Sequence, residues 1–123
     1  MVTRALILAL ALWLLAAPAR AQAPSALDER LQRLSEILGA LHYLRVVCGS
    51  NEGAKWRNEM QALLDAEAPS GERRARMAAG FNRGYRGFQQ TYRTCTPAAD
   101  LAIRRYLDEG ARIAREVTAR YAN

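Results

Sequence analysis

Cys48 and Cys95 are the only two cysteines among 123 residues, and the segment ahead of them decides how they are to be read. Arg4 gives a positive start, Ala5 to Ala17 supplies 13 consecutive apolar residues, and Pro18 breaks the run before Ala19-Arg20-Ala21. A charge, an apolar stretch and small residues two apart form the pattern of a secretory signal peptide, here cleaved after Ala21. Thirteen residues rise only about 20 Å as a helix, short of the roughly 30 Å of hydrocarbon a spanning helix crosses, so no membrane span is expected. An exported chain with two thiols and no third reads as carrying a disulfide. Neither cysteine sits in a CxxC or CxxCH, so thiol exchange and haem attachment are not indicated. A bridge closing the loop from Cys48 to Cys95 would contribute about 4 kcal/mol by restricting the unfolded chain.

The remaining residues, 22–123, are expected to form one helical domain, since half of the chain is hydrophobic, 24% is charged, and the length allows a single core. Ser25 and Asp28 make a capping pair, behind which Leu27, Leu31, Leu34, Leu38, Leu41 and Cys48 follow a 4-3 apolar spacing widened by Ile37 and Leu44. Gly49 ends this first helix. Ser50-Asn51 is expected to cap a second, with Trp56, Met60, Leu63 and Leu64 on one side, until Ala68-Pro69 stops it. Ser70 caps a third, in which Met77, Phe81, Tyr85, Phe88, Tyr92 and Cys95 are spaced 4, 4, 3, 4 and 3 apart, a period that no strand can carry. Thr96-Pro97 opens a fourth, with Ile103, Tyr106, Leu107, Gly110, Ile113, Ala114, Val117 and Tyr121 inward.

Short connections between successive helices predict an all-α, antiparallel up-down-up-down four-helix bundle. Helices one and three would then end at the same pole, where Cys48 and Cys95 could meet within the reach of a disulfide.

The formal charge is +6, and Lys55 is the only lysine; removing residues 1–21 takes away Arg4 and Arg20 and leaves +4. From Arg73 to Ala99 there are six arginines (Arg73, Arg74, Arg76, Arg83, Arg86 and Arg93) and no acid. Opposite the aromatic stripe of helix three lie Asn82, Arg86, Gln89 and Arg93. Guanidinium forks bind carboxylates and phosphates, so Arg83, Arg86 and Arg93 are candidate anion-binding residues. Arg45 joins them because it falls within an apolar stripe, where a guanidinium must find an anion, either a strut inside the fold or a ligand. The bland reading of the block is a solvated face partly neutralised by the acids of helix two.

A candidate polar site near the cysteine pole comprises His42, the only histidine, with Tyr43, Trp56 and Arg57. His42 has too few neighbouring ligand types for a tetrahedral metal site, and neither a metal nor a cofactor is expected. Gly80, Gly84 and Gly87 each cost about 1 kcal/mol in a helix, which calls for compensation by close packing or by a ligand groove along that edge. Arg104, Asp108, Arg112, Glu116 and Arg120 alternate in sign at i+4 spacing, as in a solvent-facing ladder.

Three stretches, Leu38-Gly39-Ala40-Leu41-His42-Tyr43-Leu44-Arg45 with Cys48, Trp56-Arg57 with Met60, and Phe81-Asn82-Arg83-Gly84-Tyr85-Arg86-Gly87-Phe88 with Tyr92 and Cys95, carry a family resemblance. The chain resembles the small exported proteins of alphaproteobacteria catalogued only as a domain of unknown function. The resemblance covers about Leu38 to Cys95 and implies a periplasmic location; it brings no activity.

The leading expectation is a periplasmic helical binding module, more a binder than an enzyme, whose partner is an anionic envelope component or an acidic protein. Nucleic acid is disfavoured by export, although charge alone would permit it. The alternatives are a small all-helical enzyme of the chorismate mutase type, with arginines holding a dicarboxylate inside the bundle, and a chaperone-like protein that opens at low pH.

Overall fold

The computed structural model describes residues 25–120. The predicted signal peptide and its cleavage site, and Tyr121 at the other end, lie outside the described residues. Four helices and no strand occupy the described part: α1 (Ala26–Val47), α2 (Lys55–Glu67), α3 (Gly71–Thr91) and α4 (Pro97–Ala119).

Local chemistry explains most of their ends. The Ser25 hydroxyl accepts from the Asp28 backbone N–H while the Asp28 carboxylate accepts from Ser25 N, a reciprocal box that closes the first turn of α1. At the other end Gly49 takes φ +81°, which lets Gly49 N–H reach Val46 O and Ser50 N–H reach Arg45 O. Thr96 caps α4 through Ala99 N–H, with Pro97 at the start.

Ser70 stands at the N-cap position of α3 as expected but makes no side-chain hydrogen bond to it, and two ends differ further. The first is the start of α2: it begins at Lys55, and its N-cap Ala54 has no side-chain hydrogen bond, so Ser50-Asn51 is not the cap. Glu52 has been drawn away to Arg45 and Trp56, and the turn through Gly53 at φ +55° follows from that. The second is the end of α3, which stops at Thr91 rather than at Cys95, with Tyr92 extended at φ −120°, ψ 113°. Thr91, Thr94 and Thr96 are poor helix formers, and Thr96 is pushed to an extended conformation by Pro97. The Tyr43 hydroxyl donates to Tyr92 O at this point. Cys95 therefore lies in the connection and is joined to Cys48, the residue after α1, with Cα atoms 4.8 Å apart.

The core is built around α1. Ile37, Leu38, Gly39, Ala40 and Leu41 are all buried, and five consecutive residues at 3.6 per turn cover the whole circumference. The 4-3 stripe read from the sequence understates this. α1 packs most extensively on α3, less on α4 and α2; α2 and α3 touch slightly, α4 does not pack on α2, and it meets α3 through side chains, Phe88 against Tyr106.

The tightest contact is between α1 and α3, where backbone meets backbone. A Cβ on Gly39 would sit 1.9 Å from Phe81 O, and one on Gly84 2.0 Å from Glu36 O. Gly80 stands against Gln32 and Glu36, so rising numbers in α1 meet rising numbers in α3. Against α4 the register falls: Arg30 pairs with Glu116, Arg33 with Glu109, and Leu34 and Ile37 flank Gly110.

This closeness displaces the aromatic stripe. Met77 and Gly80 are the fully buried residues of α3, while Phe81, Tyr85, Phe88 and Tyr92 are half-buried along its flanks. Leu107 and Ala114 of α4, expected inward, are exposed because α2 and α4 do not close over α1. The sign-alternating ladder is also redirected: Arg104 pairs back to Asp100, and Glu116 crosses to Arg30.

The glycines make a discriminating test. Gly39→Ala and Gly84→Ala should each lower the urea unfolding free energy by about 3 kcal/mol, the upper range for overpacking. Gly87, whose Cβ would meet nothing within 4 Å, should gain up to about 1 kcal/mol as Gly87→Ala. Equal midpoints for all three variants would contradict the close contact. The Cys48→Ala/Cys95→Ala chain should lose about 4 kcal/mol in the same assay, and a loss below about 1 kcal/mol would show that the loop is no constraint.

Candidate functional site

The six arginines between Arg73 and Ala99 divide by what α1 offers them. Arg73 Nε lies 2.6 Å from Asp28 Oδ1, and Arg83 Nη2 lies 3.0 Å from Glu36 Oε1. Arg74 reaches Asp65 of α2 at 3.7 Å and the Ala68 carbonyl, and Arg76 pairs within its own helix to Glu72. Neutralisation thus comes from α1 as much as from the expected second helix. Asp28 is held at about 2, well below the usual carboxylate range, by hydrogen bonds from Ser25 and then Arg73.

Among the described residues Arg86 and Arg93 have no ion-pair partner, and both are exposed, together with Asn82 and Gln89. The outer face of α3 is therefore a solvent-facing polar strip of Asn82, Arg86 and Gln89, flanked by a shallow depression lined by Ala79, Asn82, Arg83 and Arg86; Arg93, expected on the same stripe, lies beyond it in the connection to α4, because the helix ends at Thr91 and Tyr92 is extended. Of the candidate anion-binding residues, the structure leaves Arg86 and Arg93 open and commits Arg83 to Glu36.

Arg45 is a strut. Its Nε donates to Glu52 Oε2 at 3.0 Å and its Nη2 to Oε1, a two-pronged pair to which Trp56 Nε1 adds a third donor at 2.7 Å. Glu52 is pulled down to about 2, chiefly by the Arg45 hydrogen bond, against the opposing effect of burial. Glu52 is the residue sequence reasoning missed. The seven-residue spacing to Arg45 across a glycine-bounded loop carries no periodic signal.

The candidate polar site near the cysteine pole splits between two gaps. Tyr43 stands edge-on to Tyr85, with ring centroids 5.5 Å apart, and is tied to Tyr92 O. His42 lies against Phe81 and Tyr85, with centroids 5.9 and 5.5 Å away, and its Nδ1 is buried without a hydrogen-bond partner. Burial, then the nearby Arg57 charge, lowers its pKa. Trp56 faces the other way, toward α4, so the four residues do not converge on one ligand position. Among the described residues there is no group of three or more metal-ligand side chains, and no helix is long and apolar enough to cross a membrane.

The glycine edge divides in the same manner. Gly80 and Gly84 receive α1, whereas Gly87 opens onto a cleft between α3 and α4 beside Phe88 and Tyr106. Arg33 closes one wall of it, bound to Glu109 through Nε at 2.8 Å and Nη2 at 3.0 Å and lying over the Tyr106 ring. Arg83, Glu36, Arg33 and Glu109 form one alternating and neutral chain.

The sequence pattern of a family described as Protein of unknown function (DUF2385) matches residues 26–121. The chain belongs to that family. The match takes in all four helices, α4 included, beyond the Leu38 to Cys95 stretch that carried the resemblance. No curated protein and no solved structure matches the chain.

The acid-base groups set a pH dependence. Unfolded carboxylates take up protons before Asp28 and Glu52 do, so stability should fall as pH drops from about 5 toward about 2. His42, whose neutral form the fold favours, adds a loss that begins below about pH 6.5. Urea midpoints at pH 7, 5.5 and 3 should decline in that order. Glu52→Gln should flatten the acid limb, and a profile parallel to the parent's would deny Glu52 this role.

Proposed function

We propose that the chain is an exported, periplasmic binding module that engages an anionic envelope component, or an acidic protein partner, through the outer face of α3. The observation that carries this reading is the pair Arg86, on the outer face of α3, and Arg93, just beyond the end of that helix, both exposed and without an ion pair among the described residues, in a stretch that holds no acid. Four other arginines of the same stretch are matched by carboxylates or carbonyls of the chain. A fold that supplies acids for most of a basic block and none for two of its members leaves those two to an outside anion. Arg45, which an enzymatic reading would turn on a substrate, has its fork filled by Glu52.

The test uses Arg86→Glu/Arg93→Glu, which leaves every internal ion pair intact. Capture of envelope material on the immobilised parent chain should weaken as salt rises, and the charge-reversed chain should retain about a tenth or less at low ionic strength. Equal capture by both chains would remove the proposal.

A further inference from the structure

We propose that the groove between α2 and α4 binds the alkyl chain of a monoacyl amphiphile, with its anionic head at Lys55. The groove has a volume of about 490 Å³ and exists because these two helices each pack on α1 and not on one another. Its floor is aliphatic, made by Leu34, Ile37, Leu38 and Leu41 of α1. Its walls carry Trp56 and Leu63 on one side and Leu107 on the other, separated by small residues, Ala62, Gly110, Ala111 and Ala114. Small side chains at wall positions leave the space open instead of filling it.

The dimensions choose the occupant. The floor leucines and Ile37 are at most 8% exposed, so an occupant lies between the walls, against Trp56, Leu63, Leu107, Ala111 and Ala114, and only touches the floor. Each wall runs nine residues, Lys55 to Leu63 and Tyr106 to Ala114, whose eight steps rise about 12 Å. That length takes roughly ten carbons of an extended chain at C–C bonds of about 1.5 Å.

Charge sets the direction. Lys55 stands at the start of α2, makes no ion pair among the described residues, holds its ammonium 5.0 Å from the Trp56 ring, and acts on Glu52 only as a weaker neighbouring charge behind Arg45. Glu59 lies one turn further along the same wall and repels a negative head from the middle, which leaves the Lys55 end. Glu52, the other carboxylate nearby, is engaged by Arg45 and Trp56. The opposite end, at Leu34, Leu63 and Ala114, is apolar and receives the tail. This site is separate from the α3 face and stands whether or not that face binds an anion.

The experiment is a calorimetric titration of decanoate, below its micellar concentration, into the disulfide-bonded chain. Saturable one-to-one binding is expected. Ala114→Phe fills the tail end from an exposed position and should weaken binding about tenfold or more; Ala111→Leu, also at an exposed position, serves if the first variant unfolds. Lys55→Glu should weaken decanoate about fivefold, the scale of one exposed charge, and leave decanol unaffected. The proposal is overturned by non-saturable heats, by Ala114→Phe and Ala111→Leu binding as the parent does, or by loss of decanoate on Arg86→Glu, which would place it on α3. Sedimentation showing a ligand-free dimer that Ala114→Phe dissociates would overturn it too, since the occupant would then be a second copy.

Discussion

The contact on which the rest of this structure depends is the one between two backbones at Gly39 and Gly84. The carbonyls of Phe81 and Glu36 lie where side-chain atoms would otherwise be, so α1 and α3 form a rigid pair with a single register. The disulfide meets that pair beyond the C-terminal end of each helix and closes the loop from Cys48 to Cys95. The consequence for packing is that the aromatic residues of α3 cannot lie between the helices. They are pushed to both flanks, where Tyr85 meets His42 and Tyr43, and Phe88 meets Tyr106.

With α3 pressed onto one side of α1, the other two helices take the remaining sides and do not meet each other. This is why a helix whose Ile37 to Leu41 stretch is buried on every side sits in the middle, and why two clefts remain over it. Ser35, completely buried in α1, satisfies its hydroxyl on Leu31 O within its own helix, so no neighbour has to supply a polar partner there. The ion pairs run along the seams. Arg30 with Glu116, Arg33 with Glu109 and Arg83 with Glu36 are all part-exposed, and each contributes little stability. Their effect is on register: a one-turn slip of α4 would bring Arg105 or Arg112 toward Arg33 and Arg112 or Arg120 toward Arg30. Arg86 and Arg93 fall outside these seams.

Several features were legible because their interactions close within a few residues. The box of Ser25 and Asp28, the Thr96-Pro97 start and the turn at Gly49 were all read from spacing, and each involves hydrogen bonds spanning three to five positions. The start of α2 and the end of α3 were not. Glu52 is held by Arg45 ahead of α2, and the Tyr92 carbonyl is taken by the Tyr43 hydroxyl, partners that a helical wheel cannot place. The arginine block was legible as charge and not as pairing, for the same reason. Leu107 and Ala114 carry the right period for a core, yet they border an open groove.

The sequence by itself determined that the chain makes four helices, two of them capped at Ser25 and Thr96, and that its two cysteines belong together, because propensity, capping and a lone thiol pair are properties of neighbouring residues and of composition. Only the tertiary structure decided that α1 is central, which guanidinium groups are left without a carboxylate, and where the apolar groove opens. Those outcomes depend on interhelical distances, and the distances follow from two missing side chains, at Gly39 and Gly84, whose partners are backbone atoms that carry no residue-specific signal.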